Sequence, residues 1–426
     1  MKARAIHLHH VRVPFRMTFR HAKAERTSSE NVVVAVDLVS GERGLGESVP
    51  REYVTGETVA SALEALKQAA SSVLHKTFIS PATLIEFLDP SPAEAGQERP
   101  GDFAQGRPEH VEGRLRVEGN AARCALELAL LDAAGKHFHK TAAELLGEKG
   151  VRTLFSGEKG VGYLLCEAPA GPFRKKSSDP FFPPYSGVIS AEAIGAATWS
   201  AIKMRLFGFP HIKAKVGLSD AGDIELVRRL RLVLGPHKDL RLDANGVWNL
   251  DQAATMIEAL SPYRISAVEQ PLPKAETARM VELRQRVKVP LMLDESLCTL
   301  EDARQAAEEG WCDLFNIRIS KCGGLLPSLR IAQIAREKKL GFQIGCQVGE
   351  TGILSAAGRQ LATLLPDARY LEGSYDRFLL EMNLTTRPVS FGYGGRARPL
   401  AGPGLGVEVS ETALNHMTVS RVDINA

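Results

Sequence analysis

The sequence predicts an α/β protein in which a barrel of the (β/α)₈ type follows an α+β domain, and three observations carry that prediction. The chain has 426 residues and a mass of 46.2 kDa, too long for one ordinary core, so two domains are expected, one of them a large barrel. From about residue 186, short apolar runs alternate with amphipathic helical stretches. The last polar or small residue of each run recurs about every 26 residues, at Lys215, Asp243, Glu269, Asp294, Lys321, Cys346 and Glu372. One strand, one helix and two loops take about this many residues, and roughly eight such units close a barrel. The alternative, an open doubly wound sheet, would normally carry a Gly-rich phosphate loop after an early strand, and the sequence has none.

Each segment is read in turn. Residues 1–150 mix a Val-rich strand pattern, "NVVVAVDLVS", with helical spacing in "ETVASALEALKQAASSVL" and "NAARCALELALLDAAGKH", as in an α+β domain. Residues 79 to about 115, rich in Pro, Gly and acids, read as an inserted surface loop. Residues 151–185, with "GPFRKKSSDPFFPPY", read as a second insertion or linker. The run "YSGVIS" at 185–190 opens the barrel, which is expected over 186–390, and 391–426 is a C-terminal segment.

Composition narrows the function. A 44% hydrophobic and 24% charged chain is a folded soluble one. Its net charge of +3, from 53 basic and 50 acidic residues without a basic block, argues against nucleic acid and anionic membranes and for a small-molecule substrate. Six cysteines without a C-x-x-C pair fit reduced thiols in the cytoplasm. The amino terminus has no apolar core of a signal peptide, and no stretch of apolar residues is long enough to span a membrane.

The chemistry sits at the expected strand ends. In "HIKAKVG", Lys213 and Lys215 share a strand face. An isolated K-x-K is most often an exposed edge strand, but here the next three units end in "RLDANG" (Asp243), "AVEQPL" (Glu269) and "LMLDESL" (Asp294). Strand ends of a barrel converge on one mouth. One acid after an apolar run is often a helix cap; three on consecutive strands would repel one another unless a cation relieved them. Oxygen-only ligation suits Mg²⁺, with Mn²⁺ able to substitute, better than Zn²⁺. Asn245 and Glu295 stand next to these acids in the chain and are candidates for support behind them. Lys321, in "NIRISKCGG", is expected at the end of the following strand, on the far side of the mouth from Lys215. A lysine near a cation and partly desolvated gives up its proton more easily and serves as a general base. Lys213 would hold down the proton affinity of Lys215 and stabilise a developing oxyanion.

The order K-x-K, Asp243, Glu269, Asp294 in "DES" and Lys321 in "SKCGG" resembles the muconate-lactonizing-enzyme subgroup of the enolase superfamily. So do "PFRMTFRHA", "GLGESVPREYVTGET" and "ALELALLDAAGK" in the first domain, and "GPGLGVEV" near the carboxyl terminus. The resemblance implies a modified (β/α)₇β barrel with an N-terminal α+β capping domain to which the C-terminal segment returns. It implies removal of the proton α to a carboxylate, with Mg²⁺ stabilising the enediolate, and a homo-oligomer. It further implies Arg20, His21 and Tyr53 in the capping loops as substrate contacts. Arg318, Glu350 and Glu372 are the remaining candidates around metal or substrate. The late barrel histidine of the mandelate-racemase subgroup is absent, and "YLEGSYD" stands where dipeptide epimerases carry D-x-D. The expected reactions are racemisation/epimerisation or cycloisomerisation, with an o-succinylbenzoate-synthase-like dehydration as the alternative. A non-catalytic ligand-binding barrel is the alternative of another kind.

Overall fold

The structure, a computed structural model, describes residues 1–21, 24–89, 114–147, 183–190 and 193–426. The Val-rich segments form a four-stranded antiparallel sheet in the order β12-β1-β2-β3, from β1 (Ala3–His21), β2 (Ala24–Leu38), β3 (Arg43–Ser48) and the C-terminal β12 (Thr418–Asn425). β12 pairs with β1 from Ala5 opposite Asn425 to Val11 opposite Thr418, which ties the end of the chain to its beginning. The helix Asn120–Phe138 packs on this sheet and is buried almost all round, as its run of Ala and Leu requires. Its approach is closer than side chains on β3 would allow. A Cβ on Gly44 would stand 2.2 Å from Ala129 O, and one on Gly46 2.1 Å from Ala125 O. The two glycines therefore set how tightly the helix seats.

The stretch 79–115 departs from its expectation as a surface loop. Pro81–Leu88 is a helix, with Ser80 and Thr83 forming a capping box and Leu84, Ile85, Phe87 and Leu88 buried. The Pro that reads as loop composition occupies the first helical turn, where its missing N–H costs nothing. Residues 90–113 of that stretch, and most of 151–185, lie outside the described residues.

The second sheet has eight strands in the order β11-β10-β9-β8-β7-β6-β5-β4, every neighbouring pair parallel. They are β4 (Gly187–Ile189), β5 (His211–Lys215), β6 (Asp239–Asp243), β7 (Val268–Glu269), β8 (Leu291–Leu293), β9 (Leu314–Arg318), β10 (Gly341–Gly345) and β11 (Tyr370–Leu371). Tyr185 bridges to Leu371, and Ser186 N donates to Leu371 O at 2.8 Å, so the first and last strands close on each other. The result is a (β/α)-type barrel with an antiparallel domain at its mouth, the predicted fold class. Among the described residues no helix is long and apolar enough to cross a membrane.

Candidate active site

The register of β5, β6 and β7 brings the first residues of the site level with one another: Lys215 is opposite Asp243, and Asp243 opposite Glu269. Asp294 follows β8 directly, and its backbone N–H donates to Gln270 Oε1 at 3.0 Å. Gln270 adopts φ 39°, a left-handed conformation that turns its side chain under the β8 loop. All three acids are buried.

Their partners are the protein's own cations and amides. Lys213 Nζ lies 2.9 Å from Glu372 Oε2, 3.4 Å from Glu269 Oε2 and 3.5 Å from Asp243 Oδ2. Arg241, wholly buried, also pairs with Glu372. Asn316 Nδ2 donates to Glu269 Oε1 at 2.8 Å, and the Arg318 guanidinium pairs with Asp294 and stands 3.6 Å from Glu269 Oε1. Lys215 Nζ donates to Asn245 Oδ1 at 3.2 Å, and Asn245 Nδ2 donates to Glu295 Oε1 at 3.2 Å. Asn245 also adopts a left-handed φ of 48°, with its N–H on Asp243 Oδ1.

These surroundings set different proton affinities. Burial opposes the charge on Lys213, but Glu269, Glu372 and Asp243 outweigh it, so this lysine holds its proton more firmly than usual. Lys215 goes the other way: burial comes first, and the charges of Lys213 and Arg318 add to it against Asp243 and Glu295, so its proton is loosened. Burial pushes the Glu269 and Glu295 carboxyls up. It carries Glu350, whose Oε1 accepts from Gln347 N at 2.6 Å, to about 8.

Lys321 is not where the spacing predicts. β9 ends at Arg318, and Ile319–Cys322 makes a helical turn that carries Lys321 behind the strand ends. Its Nζ, fully buried, donates to Asp294 Oδ1 at 2.9 Å, Asn316 O at 2.9 Å and Asp294 O at 2.5 Å. A cavity of about 650 Å³ opens above the barrel, and Lys213, Lys215, Asp243, Asn245, Glu295 and Arg318 line it; Lys321 does not. The cation opposite Lys215 is therefore Arg318. Glu350 and Glu372 also line the cavity, and Tyr53 reaches it from the capping domain. The side chains of Arg20 and His21 lie outside the described residues. Two further lining residues, Arg26 and Arg51, were not singled out by sequence reasoning; the only signal for Arg51 was its place in the same short loop as Tyr53.

The oxygen donors of Asp243, Glu269 and Asp294, all buried at adjacent strand ends, suit a hard divalent cation. In the arrangement described, Lys213 and Arg318 stand among these carboxylates, and no group of three His, Cys, Asp or Glu side chains among the described residues is drawn together as a metal cage.

Residues 196–413 match the family model described as enolase C-terminal domain-like. The chain belongs to that family. Within the enolase superfamily it stands with the muconate-lactonizing-enzyme-like members. The hydrophobic dipeptide epimerase of Enterococcus faecalis is 26% identical over 402 residues, covering 94% of this chain and 96% of the relative. A crystal structure of a dipeptide epimerase from E. faecalis, complexed with Mg and the dipeptide L-Leu-L-Tyr, superposes with a TM-score of 0.75 at 24% identity, covering 96% of this chain and 100% of that one. The N-succinyl Arg/Lys racemase of Bacillus cereus superposes with a TM-score of 0.80 at 23% identity over 100% of both chains. The 2-chloromuconate cycloisomerase of Rhodococcus opacus 1CP does so with 0.78 at 22% identity, over 99% of this chain and 100% of that one. These structural likenesses establish the enolase-superfamily fold.

Proposed function

We propose that the protein is a Mg²⁺-dependent isomerase that removes the proton α to the carboxylate of a small-molecule substrate, with Lys215 as the base. Lys215 carries the reading: it is the cavity-lining lysine whose proton is loosened, and it sits beside acids on the next three strand ends. Mg²⁺, held by Asp243, Glu269 and Asp294, would supply positive charge to the substrate carboxylate as the α-carbon loses its proton. Asn245 accepts from Lys215 and so aims its ammonium along the cavity wall. Lys213, held protonated by three carboxylates, acts as fixed positive charge and not as a base. The capping domain, through Tyr53, closes the cavity against water.

Among isomerase reactions, the residues opposite Lys215 favour one-base chemistry. Epimerisation by two bases needs a proton acceptor on each face of the planar intermediate. Here the facing group is Arg318, whose guanidinium stays charged in proteins, while Lys321 is turned away from the cavity. Cycloisomerisation, which moves a proton on one face, is better served than a two-base racemisation with Lys321 as the second base.

The test is hydrogen exchange in D₂O, followed by ¹H NMR, with N-acyl amino acids, dipeptides and muconolactones in the presence of Mg²⁺. Wild type is expected to exchange the α-proton of at least one of them, and Lys215→Ala to lose that exchange. Equal exchange by Lys215→Ala, or none by wild type on any carboxylate it binds, overturns the reading.

A further inference from the structure

Asn120 belongs to the capping domain, yet it grips two of the barrel loops that carry the acids. It is the first residue of the helix Asn120–Phe138. Its Nδ2 donates to Cys298 O at 2.9 Å and to Lys321 O at 2.8 Å. Both partners are carbonyl oxygens, which can only accept, so the amide nitrogen has to face them and both of its hydrogens are used. Cys298 ends the loop that Asp294 begins after β8, and Lys321 lies on the turn Ile319–Cys322 after β9. One side chain thus joins two neighbouring barrel loops from outside the barrel.

The contact closes a ring. Lys321 Nζ donates to Asp294 Oδ1 at 2.9 Å and Asp294 O at 2.5 Å, so the two loops already meet through that ammonium. Asn120 joins them a second time, through the backbone of Lys321 and the far end of the Asp294 loop. Loops joined at one point pivot about it; joined at two, they hold each other in place. On its own side of the barrel the Asp294 loop is held by Gln270 Oε1, which accepts from Asp294 N at 3.0 Å and Ser296 N at 3.2 Å, and by Asp302 Oδ2, which accepts from Cys298 N at 2.8 Å. Asn120 is the member of this set that ties the loop to the next unit through its main chain.

The turn after β9 has reason to need the hold. Two glycines follow it, Gly323 at φ 93° and Gly324 at φ 125°, and successive glycines give a chain freedom, not restraint. A Cβ on Gly324 would stand 2.4 Å from Glu127 Oε1, so the capping helix lies too close for a side chain there. The capping domain also takes the preceding residue of the turn, with Val49 N donating to Ser320 Oγ at 2.9 Å. Asn120 itself is anchored: the buried Glu57 carboxylate accepts from Ala121 N at 2.9 Å and Ala122 N at 3.3 Å, which caps the first turn of its helix.

We infer that Asn120 is a positioning residue for the metal site: it holds the Asp294 loop against the turn after β9, so that the Asp294 carboxylate stays beside Glu269, with which it shares Arg318. The inference rests on the proposed function for the metal and adds a capping-domain residue to what supports it. The docking of the capping domain then sets metal affinity as well as covering the cavity.

The test compares the full-length wild type with Asn120→Ala and Asn120→Asp by Mg²⁺ calorimetry, Mn²⁺ paramagnetic resonance, thermal unfolding, and amide hydrogen exchange read by mass spectrometry over residues 294–298 and 319–324. Both variants are expected to bind Mg²⁺ about tenfold or more weakly than wild type, to change the Mn²⁺ spectrum and to exchange amides faster in both loops. Asn120→Asp, whose oxygens face two carbonyls with nothing to donate, should lose at least as much as Asn120→Ala. Should those two not fold, Asn120→Ser, which keeps a shorter donor, is expected to show the same losses in smaller measure. A contact with a structural role alone would lower the melting temperature and leave the Mg²⁺ affinity and Mn²⁺ spectrum of the folded variant as in wild type; that result overturns the inference while the metal reading stands. Wild type that binds neither ion would sink the metal reading. Amide exchange then decides on Asn120 by itself: faster exchange over 294–298 in the variants upholds its hold on the loop, and equal exchange overturns it.

Discussion

Lys321 Nζ and Asp294 Oδ1 stand 2.9 Å apart, and the same ammonium donates to two backbone carbonyls, so its three donors are all used within the protein. A lysine held this way supports Asp294 and the turn after β9. Lys321→Met is therefore expected to cost about 3 kcal/mol of stability by removing one of the two buried cations that Asp294 pairs with and leaving two buried carbonyls without their donor, measured by denaturant unfolding. Where the variant is folded, α-proton exchange on the face served by Lys215 should persist. Loss of exchange at unchanged stability would restore Lys321 as a base.

Metal binding follows from the acid cluster. Asp243→Asn removes one charge and one ligand while leaving the strand register and the Asn245 contact intact. Mg²⁺ affinity should fall by about 100-fold or more, read by calorimetry or by Mn²⁺ paramagnetic resonance, with far-UV circular dichroism unchanged. Wild-type affinity in the variant would remove Asp243 from the metal site.

The Lys213–Glu372 pair, at 2.9 Å, gives a prediction about charge. Glu372 is held down to about 2 because Lys213 and Arg241 overcome its burial. Glu372→Gln would strip Lys213 of a counter-charge and leave Arg241 buried beside a neutral amide. Stability should drop by roughly 3–5 kcal/mol, and the pH profile of exchange should move as the field on Lys215 changes. An unmoved profile with unchanged stability would mean that this network does not tune the site.

These residues also show how much the sequence could reveal. Lys213, Lys215, Asp243, Glu269 and Asp294 were legible because strand alternation and the repeat length are local properties, and they place side chains at one mouth without any tertiary detail. Lys321 was misplaced because Arg318 and Lys321 are both polar residues after the same apolar run, and only the helical turn at Ile319–Cys322 decides which one ends the strand. Arg51 was invisible for a different reason. Its place at the cavity depends on folding β2, β3 and the loop after β10 around it. Pro81–Leu88 was hidden by composition, since Pro marks both loops and first helical turns.

Glu127 gives a prediction about stability and pH, away from the chemistry. It lies on the helix Asn120–Phe138, and its Oε1 accepts from Leu326 N, at the start of the barrel helix Leu325–Glu337, at 3.0 Å. Its Oε2 is buried without a hydrogen-bond partner, and the Arg123 guanidinium is 3.7 Å away. Burial is the largest influence and outweighs Arg123 and the backbone amides, so the carboxyl is pushed up to about 7 from its ordinary 4.5. In the unfolded chain the same carboxyl ionises near 4.5. Between those two values the folded state binds more proton than the unfolded one, so stability falls as pH rises through that window. The contribution of the protonated form is fully present below the unfolded value and is lost by about pH 7, a difference of roughly 3 kcal/mol. Glu127→Gln keeps an oxygen for Leu326 N and cannot ionise. Calorimetric scans should therefore find the variant melting higher than wild type at pH 8, with the gap closing toward pH 4.5. Parallel melting curves across that range would mean that Glu127 is ionised in the folded protein, and that the junction between the two domains carries a buried charge.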